Sequence, residues 1–485
     1  MDAFGSIVGF TLFLVLFLVV GTLVARRSAG SREEYLLGGR SNGKFVVGLS
    51  AGAAAASGFI MVGAVGAGYT MGLAAVLFPL SWLLGDLLFW QFFPRRLYNT
   101  AKHYNCFTVP ALLDAKTADR SVMSVRRIAG LLVVVLIGLY ATAQLLAAGK
   151  TVSGAFNIDL TWGVVIAAVV ILLYCAKGGL KSSIINNFIQ AIIILLTTVI
   201  MLTVVLVMAG GPVAAFEQVE ALDPGLVSFS SLSGVMLAGL VLGWAATALG
   251  FDLSSPQFLV RLFSGKSDTD VNASKWVYLS FMQVAWISMS LFGLMLNLFL
   301  PGLADPEQGL AEFSATFFSP LLVGIVMGGI FSAIASTLDA QLLVISSALS
   351  EDLFPKFFTR LMQRFGTIVQ TSIPVLVAGV LIVLATNAGT TVFDLIILSA
   401  SMLAGAFSPI LLVVVFGWKT NALALKAGMM SGFLVCAAWR ILGYSDVLLE
   451  TLPGLVAGLL VHALVVTLCK EAPDANKERV NPNAV

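Results

Sequence analysis

Apolar runs long enough to cross about 30 Å of hydrocarbon recur along nearly the whole chain. They fall near residues 3–25, 45–68, 71–93, 128–149, 160–176, 184–209, 233–255, 276–300, 318–349, 371–387, 392–417, 422–441 and 449–469. Continuous apolar runs of this length read as helices, because a lipid-exposed segment must satisfy its backbone polar groups internally. The expectation is an all-α integral membrane protein with about 13 transmembrane helices. Composition agrees: 59% of the residues are hydrophobic and 11% are charged, whereas charged residues make up about a quarter of soluble domains.

The basic residues test the helix count independently. The first run, Ala3–Ala25, has Asp2 before it and Arg26 and Arg27 after it. That order fits a retained helix with its N-terminus outside rather than a cleaved signal. With this start and thirteen spans, only Lys150 and Arg440 of the 27 Lys and Arg residues fall on the outer side. The outer loops carry Glu217, Glu220, Asp223, Asp305, Glu307 and Glu312. A miscounted span would have swapped the sides partway along. The expected protein is therefore multi-pass in the plasma (cytoplasmic) membrane, with a cytoplasmic C-terminus.

Several classes of function drop out. No basic tract with interleaved aromatics suggests nucleic acid, and no obligatory protein partner is evident. Cys106, Cys175, Cys436 and Cys469 are scattered and only His103 and His462 accompany them, so a zinc site is not expected. The tail after Lys470 is too short for a catalytic domain, and no phosphate-binding loop marks a nucleotide-driven pump. The chain reads as no enzyme, and its energy source would be an ion gradient.

Within the apolar run 318–349, Ser332, Ser336, Thr337 and Asp339 lie within about three helical turns. Hydroxyls and carboxylates inside a bilayer pair, line water or hold an ion. Ser332 and Ser336 share a face with Thr337 beside them, and neighbouring hydroxyls are hard oxygen ligands suited to a small cation. Alternatively, each hydroxyl bonds back to the carbonyl one turn earlier. Gly48–Phe59 holds almost nothing bulky. It allows either close helix approach or a helix break whose carbonyls meet an ion.

Four motifs in order resemble the sodium/solute symporter family, most nearly its sodium/proline branch. They are Leu37–Gly43, Ser50–Ala53 with Ser57 and Gly58, Gly178 and Gly179 with Gln190, and Ala335–Leu343 with Ser346, Ser347 and Glu351–Leu353. The resemblance implies a leucine-transporter-type fold of inverted five-helix repeats, with one helix before and two after. The repeats would occupy 45–209 and 233–417, flanked by 1–44, a loop at 210–232, and 418–485. It implies a sodium site built from the carbonyls of Ala53, Ala56 and Ala333 and the hydroxyls of Ser336 and Thr337. Sodium would be the coupling ion, and no catalytic cofactor is implied. The solute would be proline or a related amino acid, with pantothenate, a monocarboxylate or another zwitterion as alternatives. A proton-coupled transporter or a sensor input domain of the same fold are the rival readings.

Two departures sharpen this expectation. Ala55 and Asn187 stand where the proline branch carries aspartates, which predicts a single sodium per cycle. Ser57, Tyr140, Gln144, Trp244 and Ser401 are candidate substrate contacts, with Ser399 and Ser408 on the same helix as Ser401. Arg40, Asp252 and Asp339 are candidates for coupling or gating. Asp252 would face a substrate amine or a proton, or pair with Arg261 at the water interface. Asp339 would serve the ion or cap a break in its helix. Asp86 is a membrane acid without an evident partner.

Overall fold

A computed structural model describes residues 3–26, 38–117, 119, 121–175, 179–229 and 234–469. Gly178 and the tail from Lys470 onward lie outside these residues. Every regular element described is helical. We number the principal helices α1 (Ala3–Arg26), α2 (Lys44–Gly58), α3 (Ala64–Met71), α4 (Leu77–Phe92), α5 (Val125–Phe156), α6 (Leu160–Cys175), α7 (Gly179–Met208), α8 (Gly234–Ser254), α9 (Pro256–Phe263), α10 (Lys275–Phe299), α11 (Pro320–Ser347), α12 (Thr367–Thr386), α13 (Val392–Val415), α14 (Ala422–Ile441) and α15 (Thr451–Leu468).

Among the described residues, nine helical stretches are long and apolar enough to cross a membrane, and Leu160–Leu172 and Ser372–Thr386 are shorter apolar helices. One stretch, Lys44–Phe92, runs through α2, α3 and α4. Gly72 divides it: its φ of +62° is a conformation that a residue with a Cβ adopts only under strain. The chain turns there before α4 begins.

Helices α2 and α11 form the centre. Helix α2 packs on α7, α10 and α11, while α11 also packs on α1 and α5. Small residues set these distances. A Cβ on Gly52 would lie 2.6 Å from the Phe281 ring of α10, so the glycine permits an approach that alanine would block. The Gly48–Phe59 segment thus serves close packing and also contains a break. Ser57 has φ 55° and ψ −179°, after which a π-helical turn, Phe59–Gly63, leads into α3.

A second break follows α8. Pro256 removes a backbone donor, α8 ends at Ser254, and α9 starts at Pro256. By contrast, α11 is continuous from Pro320 to Ser347. No proline or glycine lies between Ile330 and Ser347, so nothing interrupts its hydrogen-bond ladder at Asp339. The expectation that Asp339 caps a break is corrected.

Candidate functional site

The break in α2 is held from outside the helix. A helix end leaves backbone groups without helical partners. The Gly58 N–H donates to Gln144 Oε1 of α5 at 2.7 Å, and the Phe59 N–H donates to Ser57 Oγ at 3.1 Å. Gln144 was expected to face substrate; its oxygen is instead engaged by the break. Ser57, likewise a candidate substrate contact, turns its hydroxyl toward its own chain.

Directly across from the turn before this break, α11 presents two hydroxyls. Ser336 Oγ lies 2.8 Å from the Ala53 carbonyl oxygen and 2.8 Å from that of Ala333. Thr337 Oγ1 lies 3.3 Å from Ala53 O, 3.2 Å from Ala54 O and 3.3 Å from Ala333 O. Back-bonding and cross-helix contact, alternatives in the sequence, coexist. Two hydroxyl protons are spread over these five oxygen–oxygen contacts, so each hydroxyl has more acceptors than it can serve. Ser332 stays apart, bonding back to Gly328 O at 3.0 Å.

Ala54 was not anticipated in this cluster. Of the expected members, the Ala56 carbonyl is the one engaged elsewhere, accepting the Phe59 N–H. Asn187 of α7 adds a support: its Nδ2 donates to the Ser336 carbonyl at 3.1 Å. An ionised carboxylate at that position would have no proton to give, so the amide does here what an aspartate could not.

A narrow cavity adjoins the break, lined by Ala55, Ala56, Phe59 and Ile60 of the broken helix. Trp82, Tyr140, Phe251 and Trp286 supply aromatic walls, with Met282, Ile396, Ile397 and Ala400 completing the lining. Trp82 and Trp286 meet at 5.6 Å between ring centroids, and Phe59 meets Trp286 edge-on at 4.9 Å. Tyr140, a candidate substrate contact, stands on this wall. Trp244 does not: it stacks on Phe78 at 4.5 Å, behind Trp82 and Trp286. Ser401 is buried, and its carbonyl accepts the Cys436 thiol at 3.6 Å. Its neighbour Ala400 lines the cavity instead. Ser399 bonds back to Ile396 O and Ser408 crosses to Gly250 O at 2.8 Å.

The expected pairing of Asp252 with Arg261 is also corrected. Asp252 is fully buried and accepts from Tyr278 Oη at 3.3 Å. Arg261, beyond the Pro256 break, donates to Gln257 O at 2.6 Å and to Ser183 Oγ at 3.0 Å. The break redirects α9, so residues nine apart in sequence no longer stack on one helix. Asp86, without an evident partner in the sequence, lies against Asp252. Asp339 is buried on α11 one turn beyond Ser336. The Arg40 guanidinium sits 5.9 Å from the Tyr98 ring centroid.

One further constellation escaped sequence reasoning. Glu307 is nearly buried and accepts from the Val392 and Phe393 backbone N–H groups, each at 3.0 Å, at the start of α13. Lys150 of α5 pairs with Glu307 at 2.5 Å and with Asp305 at 2.9 Å. A carboxylate at a helix N-terminus is favoured by the helix dipole. The available signal was Lys150 itself, a basic residue isolated on the acidic side.

The model of the sodium:solute symporter family matches residues 35–435. The chain belongs to that family. It is similar to the sodium/proline symporter of Staphylococcus aureus (strain JH9), at 30% identity over 96% of this chain and 94% of that protein. It is 26% identical to the osmoregulated proline transporter OpuE of Bacillus subtilis (strain 168), over 97% of this chain and 96% of that protein. Among solved structures, a Na+-coupled sialic acid symporter in a substrate-bound outward-open state superposes with a TM-score of 0.78 at 16% identity. That match covers 97% of this chain and 98% of that one. MhsT in complex with L-phenylalanine superposes with a TM-score of 0.55 at 15% identity, covering 90% and 99%. These superpositions establish the fold. This family member is thus a membrane transporter that couples sodium to a small solute, and not an enzyme.

Proposed function

We propose that the chain imports proline or a closely related amino acid, with one sodium held by the Ala53, Ala333, Ser336 and Thr337 oxygens. The observation that carries the site is the shortage of protons among those oxygens. Neighbouring ligands of a cation with metal–oxygen bonds of about 2.4 Å stand roughly 3.4 Å apart. The oxygens here are 2.8 to 3.3 Å apart, so a few tenths of an ångström of opening would admit such an ion. Ala54 O is an additional candidate ligand. Ala56 O retains a second lone pair beside its Phe59 contact.

The relatives' names and the cavity's largely apolar walls support proline as the solute. Tyr140, reaching Ser57 with its hydroxyl, is the proposed polar contact at the break. Sodium in the cluster would tie α2 to α11 and favour the outward-open state, and its loss would let them part. Arg40 and Asp339 are proposed to influence that release. Neutral Ala55 and Asn187 favour one sodium over two. We place the N-terminus outside and the C-terminus in the cytoplasm. We count thirteen spans: Gly72 splits Lys44–Phe92 into two, and α1 and the two shorter apolar helices join the other eight long stretches. Ten of them form two inverted five-helix repeats, 45–209 and 233–417, with one span before and two after.

Thermal unfolding of the purified protein in sodium or choline, with proline, pantothenate and monocarboxylates, tests this reading. A stabilising shift with proline that appears only in sodium is expected. A shift with another solute alone overturns the substrate, and one indifferent to sodium overturns the coupling.

A further inference from the structure

Beneath the aromatic wall, two carboxylates meet. Gly85 makes this possible: a Cβ there would fall 2.1 Å from Ala245 O and 2.6 Å from Ala248 Cβ, so only glycine lets α4 lie so close on α8. The next residue, Asp86, is thereby brought within hydrogen-bonding reach of Asp252. Both side chains are fully buried. Tyr278 of α10 donates to Asp252 Oδ1 at 3.3 Å. Both oxygens of Asp86 and the remaining oxygen of Asp252 have no hydrogen-bond donor. The nearly buried Trp82 indole, one turn before Asp86, points its N–H toward that carboxylate without closing a bond.

No cation faces the pair among the described residues. The titratable groups turned toward it are Tyr278 and, behind it, Tyr140 of α5. Arg261 on α9 is turned to Ser183. Arg95, beyond the end of α4, pairs with Asp268, and Lys275 at the start of α10 bonds to Gln91. Helices α13 and α15 bring the neutral Ser408 and Thr451 to this part of α8.

Two adjacent anions sealed from water without a counter-charge repel each other and lose their hydration. One proton resolves both problems. It turns one carboxyl into a donor, and the pair then shares a charge-assisted O–H···O bond.

We propose that Asp86 and Asp252 form a proton-binding site that holds one proton between α4 and α8 and exchanges it with water during the transport cycle. The ligand is the proton itself. When the helices part, the carboxyl O–H bond breaks and the proton passes to water; when they close, one is taken up again. The location suits this task. Trp82 and Phe251, which line the solute cavity, stand one turn before Asp86 and next to Asp252, so closing the cavity and sealing the acids are one movement. Transport would then respond to a proton gradient in addition to sodium.

The test combines two readouts on the full chain. In proteoliposomes with a fixed sodium gradient, an acid-outside pH gradient is expected to raise initial solute uptake several-fold. Asp86→Asn and Asp252→Asn are expected to abolish that increment while sodium-driven uptake persists, and Asp86→Glu to restore it. An unaltered increment in both Asn variants overturns the proposal, as does no increment in the unmodified protein. Infrared difference spectra of the unmodified, solute-free protein provide the second readout, independent of which solute is carried and of whether the variants fold. A protonated-carboxyl band that disappears on alkaline titration supports the site, and absence of any such band overturns it. Failure of the sodium or proline assignment would leave this band unchanged, so the two readings fail separately.

Discussion

The Ser336 hydroxyl reaches the Ala53 carbonyl oxygen at 2.8 Å, joining α11 to the turn before the break in α2. The same hydroxyl oxygen is equally close to Ala333 O. One proton cannot serve both carbonyls, and Thr337 repeats the situation beside it. A cation replaces this competition with attraction to every oxygen at once. Side chains and backbone thereby act as a clasp whose strength depends on sodium.

Removing either hydroxyl should weaken the clasp without emptying the solute cavity. Loss of one oxygen ligand is expected to cost about 1–3 kcal/mol, in the range for losing a buried polar partner. Ser336→Ala and Thr337→Ala should therefore raise the sodium concentration for half-maximal uptake about fivefold or more. Thr337→Ser should stay near the unmodified protein. Sodium titration of initial uptake rates distinguishes these outcomes. The same titration should give a Hill coefficient near one, and a value near two would contradict a single sodium.

Gln144 accounts for the stability of the break. Gln144→Ala would leave the Gly58 N–H buried and unpaired, at a cost of about 1–3 kcal/mol. Thermal unfolding should fall measurably for the alanine variant and less for Gln144→Glu, which keeps an acceptor at 2.7 Å reach. An unchanged unfolding temperature for Gln144→Ala would remove its assigned role.

The Lys150–Glu307 pair fastens α5 and the 301–308 segment to the start of α13. Lys150→Met leaves a nearly buried carboxylate without its cation, which costs roughly 3–5 kcal/mol. Glu307→Gln keeps an acceptor for one backbone N–H. The double variant should accordingly be more stable than Lys150→Met alone. Unfolding free energies of the two singles and the double measure this coupling directly.

A second clasp should respond to pH. Burial pushes the Asp119 carboxyl up, but Lys426 and Ser121 outweigh it and hold the carboxyl below its usual value. Lys426 pairs with it at 2.8 Å. A depressed folded value means that the stabilisation is present above the ordinary carboxylate value of about 3.9 and disappears as pH falls through the folded one. Lys426→Met should lower the unfolding temperature at neutral pH, and the difference should vanish once the pH has fallen through the depressed folded value.

Much of this was legible in the sequence because it is local. The apolar runs, the small-residue segment before Ser57 and the stop at Pro256 each act within a few turns. Ser336 and Thr337 were visible as hydroxyls in an apolar helix, and the family resemblance supplied Ala53 as their counterpart. What stayed hidden depends on helix crossings. Asp86 and Asp252 meet only because Gly85 seats α4 on α8, and nothing near Asp86 announces that contact. Trp244 was assigned to the cavity wall, yet stacking on Phe78 turns it into the second layer. Arg261 looked like a partner for Asp252 until the Pro256 break redirected it. Periodicity along one helix does not encode which face a neighbour covers.

The most direct test of the central claim is proline uptake into proteoliposomes under separately imposed sodium and proton gradients, comparing the unmodified chain with Ser336→Ala. The account predicts that uptake requires sodium, that a proton gradient adds to it only when sodium is present, and that Ser336→Ala needs about fivefold more sodium or more for the same rate. Full uptake driven by a proton gradient in the absence of sodium, with Ser336→Ala indistinguishable from the unmodified protein, would contradict it.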